Sequence, residues 1–318
     1  MGKFLRNIGL VIVPFLVVWL VVWFSIEASR FYVYHFTKNQ GCNIESIYYR
    51  LYENQTPIQA AFLGASHTGC GVNDLLIDSV LQTGGEVVNL SYCGGNRNIH
   101  KLVLQDLINT HKPKVVFLDV VMNEPVGSHR DFGVLATQNQ VLKAPVFFNS
   151  KYMNDVYKNM ELNFFYTQDR LFDVLPQPIS RDEYPNYIFS DVFKLKADSN
   201  QLRAFEKRHK QDLVKNQAGG FVIEHEQQVS LEYIREFAEL CKDNDIRLVF
   251  LYIPAFGMVS PEPIHAKQYR EWGELWIPPS SIFKTPSNWV DNEHLNTWGA
   301  RDLSIWIATE MQKKKMLN

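Results

Sequence analysis

The segments VVFLDVV at residues 115–121 and RLVFLYI at residues 247–253 are almost continuously apolar. A strand buried on both faces of a parallel sheet has this composition, whereas a strand with one exposed face alternates apolar and polar residues. We therefore predict strands at 58–63, 86–90, 114–121 and 246–253. Helical patterns separate or flank these strands, at 73–81, 97–110, 227–242 and 296–313. This alternation predicts an α/β fold with a doubly wound parallel sheet and right-handed crossovers.

The chain has 318 residues, of which 46% are hydrophobic and 21% charged, and its formal net charge is −2. This composition is typical of a globular protein with a substantial core, and the small net charge creates no field that would attract nucleic acid. Gly94 and Gly95 lack the G-x-G-x-x-G frame of a dinucleotide-binding loop, and no lysine follows a glycine loop as in a P-loop. We therefore predict neither nucleic acid nor a nucleotide as a ligand.

The N-terminal run IGLVIVPFLVVWLVVWFSI, residues 8–26, contains no charged side chain. A helix needs ~20 apolar residues to cross a bilayer, and proline is tolerated inside such a helix. Lys3 and Arg6 precede the run, so the positive-inside rule places the N-terminus in the cytoplasm. We predict a single-pass anchor at 1–30 in the cytoplasmic membrane, with a domain at 56–318 on the outside, periplasmic or extracellular. A cleaved signal peptide is the alternative, although its apolar region is normally only ~7–15 residues long.

Residues 128–220 interrupt the alternation of strands and helices and are rich in aromatic and charged side chains. We interpret them as a mainly helical insertion that covers one edge of the sheet. The insertion could form a substrate lid, or it could provide extra packing and a partner surface, and the sequence leaves both open. The aromatic residues that would suit sugar stacking or a partner helix are Phe147, Phe148, Tyr152, Tyr157, Phe164, Phe165 and Tyr166.

The four cysteines are Cys42, Cys70, Cys93 and Cys241, and no two of them form a C-x-x-C pair. A zinc ribbon is therefore not indicated. An outside location permits disulfides, and Cys70 and Cys93 both follow predicted strands at the same edge of the sheet. They could pair, or all the cysteines could be small buried thiols.

Polar side chains follow the predicted strands at the edge where an open α/β sheet binds its ligands. They lie in the segments 64–67, 91–96, 122–124 and, before the last helix, 291–294. Ser66 is a candidate nucleophile, because a serine hydroxyl becomes reactive when a base lies within hydrogen-bond reach. His294 can supply that base, and the spacing lets Asp291 reach its Nδ1–H. An ordinary turn serine and a helix-capping Asp291–His294 pair are the alternatives.

Acyl transfer also needs hydrogen-bond donors for the negative charge that develops on the substrate carbonyl. The candidates are the backbone N–H of Ser66, the N–H of Gly94 or Gly95, and the side-chain amide of Asn123. Glycine suits this role because it lets the backbone approach a ligand closely. Asn123 could instead be a turn-forming asparagine.

Two further residues near this edge have structural interpretations. His67 adjoins Ser66, but adjacent side chains usually diverge, so we expect it to line the pocket or to cap the helix at Asn73. Asp119 lies inside an apolar strand, where a charge has to be paired, and we expect a structural carboxylate.

Metal binding is the remaining chemical option. The run Glu224-His225-Glu226 is typical of a solvated helix start, and no second His or Cys pair has the spacing of metal ligands. His67, Asp291 and His294 could bind zinc in principle. We predict no metal and no organic cofactor, because a Ser-His-Asp arrangement needs neither.

These residues resemble, in their order along the chain, the four blocks of the SGNH hydrolases, also called GDSL esterases. The corresponding segments are Gly64-Ala65-Ser66-His67, then Gly94 or Gly95, then Val121-Met122-Asn123-Glu124, and finally Asp291-Asn292-Glu293-His294. The resemblance implies a flavodoxin-like three-layer α/β/α fold in which Ser66 is the nucleophile and His294 and Asp291 are the base and its acid. It implies oxyanion roles for Asn123 and one of the glycines. Ala65, Val121 and Glu124 depart from the letters of the family's blocks.

An anchor followed by such a domain is similar to the DltD-like and alginate-acetylation-like (AlgJ/AlgX-like) members of this superfamily. Those proteins work outside the cytoplasmic membrane beside a membrane-bound O-acyltransferase. The likeness implies a cell-surface polysaccharide or other polymer as substrate and a membrane-bound O-acyltransferase as partner.

The expected function is a membrane-anchored serine esterase or O-acyltransferase acting on acyl groups, with acetyl as the expected group. Water as the acceptor gives an esterase and a polymer hydroxyl gives a transferase, and the same residues serve both. The alternative is a non-catalytic accessory protein that binds a polysaccharide or the membrane-bound O-acyltransferase, with a vestigial site.

Overall fold

The computed structural model describes residues 2–37, 44–147, 149–176, 195–198, 200, 202–207, 221–258 and 260–317. Its sheet has five parallel strands in the order β2-β1-β3-β4-β5. The strands are β1 Ala60–Leu63, β2 Val87–Asn89, β3 Val115–Val120, β4 Arg247–Tyr252 and β5 Glu274–Trp276. The α/β fold with a parallel sheet is therefore confirmed, and each predicted strand contains an observed one. The sequence analysis missed β5, because three residues at the sheet edge are too few to show a pattern.

The helices before the third strand are α1 Gly2–Ser25, α2 Arg30–Thr37, α3 Ile44–Tyr48, α4 Ser66–Gly71, α5 Asp74–Leu81 and α6 Arg97–Thr110. Those after it are α7 Phe132–Leu135, α8 Gln138–Lys143, α9 Tyr152–Leu171, α10 Phe221–Asp243, α11 Ala266–Trp272, α12 Ser280–Lys284 and α13 Thr297–Lys313. A π-helical turn, Tyr49–Glu53, continues α3, and a 3₁₀ turn, Pro286–Asn288, follows α12.

The sheet is covered on both faces, which explains why its strands are apolar throughout. Alternate residues of β1 point to opposite sides, so that Phe62 joins a core with α5 and α13 while Leu63 joins a core with α6 and α10. The same alternation holds in β3, where Phe117 faces the first core and Leu118 the second. Phe62 and Phe117 stack across the strand pair with their ring centroids 4.4 Å apart. The layers thus leave the carboxyl edge of the sheet as the place for a site.

Two asparagines cap the helices next to the candidate site. Asn73 Oδ1 accepts from the N–H of Leu76 at 3.0 Å and starts α5. Asn296 Oδ1 accepts from the N–H groups of Trp298 and Gly299 at 3.1 Å each and starts α13. Each cap satisfies N–H groups that have no partner within the helix, which fixes where the helix begins.

The N-terminal helix α1 is the only helix of the described residues that is long and apolar enough to cross a membrane, a test that a signal sequence also passes. Its last turns pack on α9 of the insertion. The helical character predicted for residues 128–220 is observed in α7, α8 and α9. Residues 177–194 and 208–220 of the insertion lie outside the described residues, as does Phe148.

Both expectations for the cysteines are wrong. Cys70 is a free buried thiol, so it does not pair with Cys93. Cys93 is in a disulfide, so the cysteines are not all thiols. Cys70 is buried on α4, whereas Cys93 lies on the loop after β2. Cys42 lies outside the described residues.

Candidate active site

The structure brings Ser66, His294 and Asp291 into one hydrogen-bonded chain. Ser66 Oγ lies 2.8 Å from His294 Nε2, although 228 positions separate the two residues in the sequence. Asp291 Oδ2 lies 2.8 Å from His294 Nδ1. Both distances are within the range for direct hydrogen bonds. The contacts expected from the sequence spacing are therefore present, and they have the connectivity of a nucleophile, a base and an orienting carboxylate.

The turn before α13 holds the imidazole in place through the backbone as well as the side chain. Asp291 Oδ1 accepts from the N–H of Glu293 at 2.7 Å and from the N–H of His294 at 2.8 Å. The N–H of Val290 donates to the carbonyl of His294 at 3.0 Å and closes the same turn. One carboxylate thus closes the turn with one oxygen and orients the ring with the other.

The ionisation of this pair favours a charged carboxylate and a strong base. Burial raises the pKa of Asp291, but hydrogen bonds from the His294 ring and the turn backbone outweigh it, so the pKa is lowered overall. Burial lowers the pKa of His294, but the hydrogen bond and charge of Asp291 outweigh it, so the pKa is raised. Asp291 therefore stays ionised at neutral pH and increases the proton affinity of His294.

The turn that carries Ser66 is held from below by Asp119 on β3. Asp119 Oδ2 accepts from the N–H of Ala65 at 2.8 Å and from the hydroxyl of Thr68 at 2.9 Å. A Cβ on Gly64 would lie 2.4 Å from Asp119 Cγ, so only glycine fits between the carboxylate and the turn. The close approach explains both the glycine before the serine and the acidic residue inside an apolar strand.

A buried ionic network continues from Asp119 and was missed by the sequence analysis. Arg97, the first residue of α6, donates from Nη1 to Asp119 at 3.0 Å and from Nη2 to Glu124 at 3.0 Å. The hydroxyl of Tyr269 donates to Glu124. Burial raises the pKa of Asp119, but the charge of Arg97 outweighs it and the pKa is lowered. Asp119 is thus the paired structural carboxylate that the sequence indicated.

The sequence contains one signal for this network, the charge of Asp119 inside an apolar strand, because a buried carboxylate has to be paired. No spacing indicates which cation pairs with it, since Arg97 begins the predicted helix 97–110. Glu124 is noted in the sequence only as a departure from a family block.

A cavity of about 400 Å³ lies next to the triad without including it: Ser66, Asp291 and His294 do not line it, but their chain neighbours His67 and Glu293 do. His67, Asn123 and Glu293 line it, together with Met122 and Met258. Its volume is within the range of small-ligand sites. His67 therefore lines a pocket, as expected, and Asn123 shares that pocket, while the oxyanion role of Asn123 stays a prediction. No described residue of the insertion at 128–220 lines this cavity, so the lid interpretation gains no support from the described part of the chain.

Gly94 and Gly95 do not line this cavity, contrary to the expectation that one of them would border the same pocket as Asn123. Gly94 has φ +92°, and a Cβ there would lie 2.5 Å from His129 Nε2. His129 Nε2 also lies 2.7 Å from the carbonyl oxygen of Cys93. Glycine at position 94 is therefore explained by its backbone conformation and by the histidine packed against it.

His67 lines the cavity as a neutral imidazole. Burial lowers its pKa, and the effect outweighs the charge of Asp119. Its ring centroid lies 5.9 Å from that of His294, and its Nδ1 has no hydrogen-bond partner among the described residues. The helix cap is Asn73 itself, so of the two roles expected for His67 only the pocket-lining one is observed.

The zinc alternative is not supported by the geometry. Among the described residues, no group of three or more His, Cys, Asp or Glu side chains is arranged to hold a metal ion. Asp291 is directed at His294 rather than at a shared point with His67. His225 lies on α10, in the helical segment that the sequence analysis interpreted as a helix start.

Comparison with known protein families, with curated proteins and with solved structures gives no match for the chain. The chemistry of the site is therefore inferred from its geometry and electrostatics.

Proposed function

We propose that the chain is a membrane-anchored serine esterase or O-acyltransferase of the SGNH type. The observation that carries the proposal is the hydrogen-bonded chain from Asp291 through His294 to Ser66, with 2.8 Å at each step. A structural serine needs neither a histidine at this distance nor a carboxylate behind the histidine. The adjacent cavity provides space for an acyl group.

In the first half of the reaction, Ser66 Oγ attacks the carbonyl carbon of an acyl donor while His294 Nε2 takes the hydroxyl proton. Asp291 stabilises the imidazolium that forms. When the carbonyl re-forms, the bond to the leaving oxygen breaks, and His294 returns the proton to that oxygen. The products are an acyl-serine and the alcohol of the donor.

Negative charge on the carbonyl oxygen needs donors that are already in place. The side-chain amide of Asn123 lines the cavity and is the first candidate. The backbone N–H of Ser66 is the second. Asn123 lines the cavity and neither glycine does, so we assign the oxyanion function to Asn123 before Gly94 or Gly95.

In the second half, an acceptor hydroxyl attacks the acyl-serine while His294 removes its proton. The bond from the acyl carbon to Ser66 Oγ then breaks, and His294 returns the proton to Ser66 Oγ. Water as acceptor gives hydrolysis, and a sugar hydroxyl gives transfer. We propose a cell-surface polysaccharide or similar polymer as substrate and a membrane-bound O-acyltransferase as the neighbour that supplies acyl groups.

The proposed location rests on two features. Helix α1 is long and apolar enough to cross a membrane, and Cys93 is in a disulfide. Disulfides persist in the periplasm or outside the cell and are rare in the cytosol. Both features support an anchored domain outside the cytoplasmic membrane.

Labelling with a fluorophosphonate probe tests the catalytic proposal directly. The wild-type chain should become covalently labelled, Ser66→Ala should not, and the matched variant Ser79→Ala, at an exposed position of α5, should label like the wild type. Labelling that persists in Ser66→Ala would exclude Ser66 as the nucleophile. A wild-type chain that is never labelled, and whose Ser66→Ala variant still supports polymer acylation in cells, would favour the accessory alternative.

A further inference from the structure

Helix α9 lies directly against the last turns of α1. Trp23 Nε1 donates to Asn159 Oδ1 at 2.8 Å, and the N–H of Ala28 donates to Asn163 Oδ1 at 2.8 Å. The Trp19 ring makes edge contacts with Tyr157 and Phe164, with ring centroids 6.4 Å apart in each case. These contacts fix the position of α9 along α1.

The depth of this contact follows from the length of the apolar run. It ends at Ile26, and the helix rises ~1.5 Å per residue, so Trp19 lies ~10 Å below the end of the run. A hydrocarbon core of ~30 Å takes up most of α1. The part of α9 that touches Trp19 therefore lies ~10 Å inside the outer boundary of the hydrocarbon core, at the deeper limit of the ~5–10 Å to which the apolar faces of interfacial helices are buried.

The two sides of α9 have the polarity that such a position requires. Its buried side contains Asp155, Asn159 and Asn163, which bond to the protein. The opposite side and the residues that follow the helix expose several large apolar side chains, with polar residues such as Asn154 and Gln168 among them. We call this surface the outer face of α9, and it consists of Met153, Tyr157, Phe165, Leu171, Phe172 and Val174. Met153 is 74% exposed and Phe172 is 72% exposed, which is unusual for large apolar side chains that face water.

We propose that the outer face of α9 lies just below the headgroups of the outer leaflet, so that α9 is an interfacial helix that holds the domain on the lipid bilayer. The inference rests on the anchor proposed for α1. Lipid is the favoured occupant because the outer face is continuous with the membrane-spanning helix and because aromatic side chains are enriched at that depth. A cavity of about 360 Å³ between α2 and α9, lined by Phe36, Phe165 and Val174, extends the same apolar surface.

An interfacial α9 would also fix the orientation of the active site. A domain held by α1 alone could rotate about its connection, whereas contact through α9 as well defines one orientation relative to the membrane. Ser66 would then have one fixed orientation relative to the membrane, and acyl donors and polymer acceptors would approach it from a defined direction.

The test uses the full chain in vesicles of phosphatidylcholine and phosphatidylglycerol. An environment-sensitive fluorophore is attached to a cysteine introduced as Met153→Cys or Phe172→Cys, with the chain lacking an introduced cysteine as the labelling blank. The native thiols Cys70 and Cys241 are buried. Val13→Cys in α1 is the deep control, and Arg301→Cys, exposed on α13, is the aqueous control.

The labels at 153 and 172 should show blue-shifted emission, and lipids with a nitroxide near the headgroup should quench most of their fluorescence. The label at 301 should show neither effect. Aqueous emission at 153 and 172 with a quenched label at 13 would overturn the interfacial helix and leave the anchor intact. A label at 13 that lipids with a nitroxide deep on the acyl chain do not quench would reject the anchor itself. Shielding at 153 and 172 in native membranes but not in pure lipid would assign the face to a membrane protein and overturn the lipid proposal.

A charge on the outer face provides the second measurement. Leu171→Asp should reduce quenching of the label at 153, because a carboxylate is costly below the headgroups, and should leave quenching at 13 unchanged. Leu171 is 77% exposed, so this substitution leaves the core intact. Unchanged quenching at 153 in the Leu171→Asp chain would contradict the proposal.

Discussion

The reactivity that we propose for Ser66 depends on residues that lie on separate segments of the chain. His294 lies within hydrogen-bond distance of the Ser66 hydroxyl, Asp291 bonds to the His294 ring, and Asp119 holds the turn beneath Ser66. The first two could be predicted from the sequence, because their spacing is local and because the carboxyl ends of parallel strands meet at one edge. The Arg97–Glu124–Tyr269 network could not, because each partner comes from a different element and no spacing links them.

At this scale we expect the triad to act as one unit. Ser66→Ala removes the nucleophile and His294→Ala removes the base, so each should abolish most ester hydrolysis and polymer acylation. The double variant should be no worse than either single variant, because residues that act together share one loss. Release of acetate from a p-nitrophenyl ester measures the first activity, and acylation of the surface polymer measures the second. Additive losses in the double variant would mean that the two side chains act independently.

The role of Asp291 predicts a particular pH dependence. Asp291 raises the pKa of His294, and only neutral His294 accepts a proton, so activity should rise with pH through that raised pKa. Asp291→Asn removes the charge and should shift this limb of the profile to lower pH. It should also cost up to ~10⁴-fold in rate, because the amide favours the wrong imidazole tautomer. The rate profile of each variant against pH gives both results.

Asp302→Asn is the matched control for that experiment, since Asp302 is exposed on α13. Its profile should coincide with that of the wild type. A limb that does not move in Asp291→Asn would show that another group sets the protonation of the base.

Asn123 and His67 line the same cavity, but we expect them to differ in effect. Asn123→Ala removes a side-chain oxyanion donor, for which a loss of ~10²–10³-fold in kcat is typical. His67→Ala should cost less, because His67 is not hydrogen-bonded to any part of the triad among the described residues. Steady-state kinetics on the p-nitrophenyl ester compares the two variants. A larger loss for His67→Ala than for Asn123→Ala would require a direct role for His67 in the reaction.

At the scale of elements, long apolar strands and capped helices could be predicted, and short elements could not. The strands β3 and β4 could be predicted because a strand that is buried on both faces consists almost entirely of apolar residues. Helix α4 has the sequence SHTGCG, which contains two glycines and no helical period, so nothing local indicates it. It forms because Asp119 and Asn89 bond to its backbone and side chains from below.

The junction of β1 and α4 should depend on the absence of a side chain at position 64. A Cβ there would lie 2.4 Å from both Asp119 Cγ and Thr68 Oγ1, and the buried carboxylate cannot move away without breaking its pairing. Gly64→Ala should therefore lower the free energy of unfolding by at least ~1–3 kcal/mol and reduce activity by displacing Ser66. Urea unfolding of the full chain in detergent measures the first effect.

Gly71→Ala is the control, because its Cβ would meet Leu303 Cδ2 at 3.4 Å, an ordinary van der Waals distance. It should unfold close to the wild-type midpoint. Equal midpoints for the Gly64 and Gly71 variants would show that the carboxylate tolerates the extra methyl group.

At the scale of the whole molecule, short stretches of sequence suffice to predict the sheet and the N-terminal helix. They do not suffice to predict how the insertion packs or which cysteines are in a disulfide. Contacts such as that of Trp23 with Asn159 join residues 136 positions apart, and no local pattern indicates them. The state of Cys93 likewise depends on where distant loops lie. The chain therefore shows its fold class in its sequence but not how its anchor, insertion and domain are joined.

The arrangement predicts one topology for the entire chain. Lys3 and Arg6 precede the apolar run, so α1 should insert with its N-terminus in the cytoplasm and leave the domain outside. A reporter fused after Asn318 should be active only outside the cytoplasm, and the protein should resist extraction by alkaline carbonate. Cys93 should remain blocked to alkylation in unfolded, unreduced protein, because its disulfide forms in an oxidising compartment. A cytoplasmic reporter signal, or a mature chain that starts near Ser29, would contradict the uncleaved anchor, and alkylation of Cys93 without reduction would contradict the outside location.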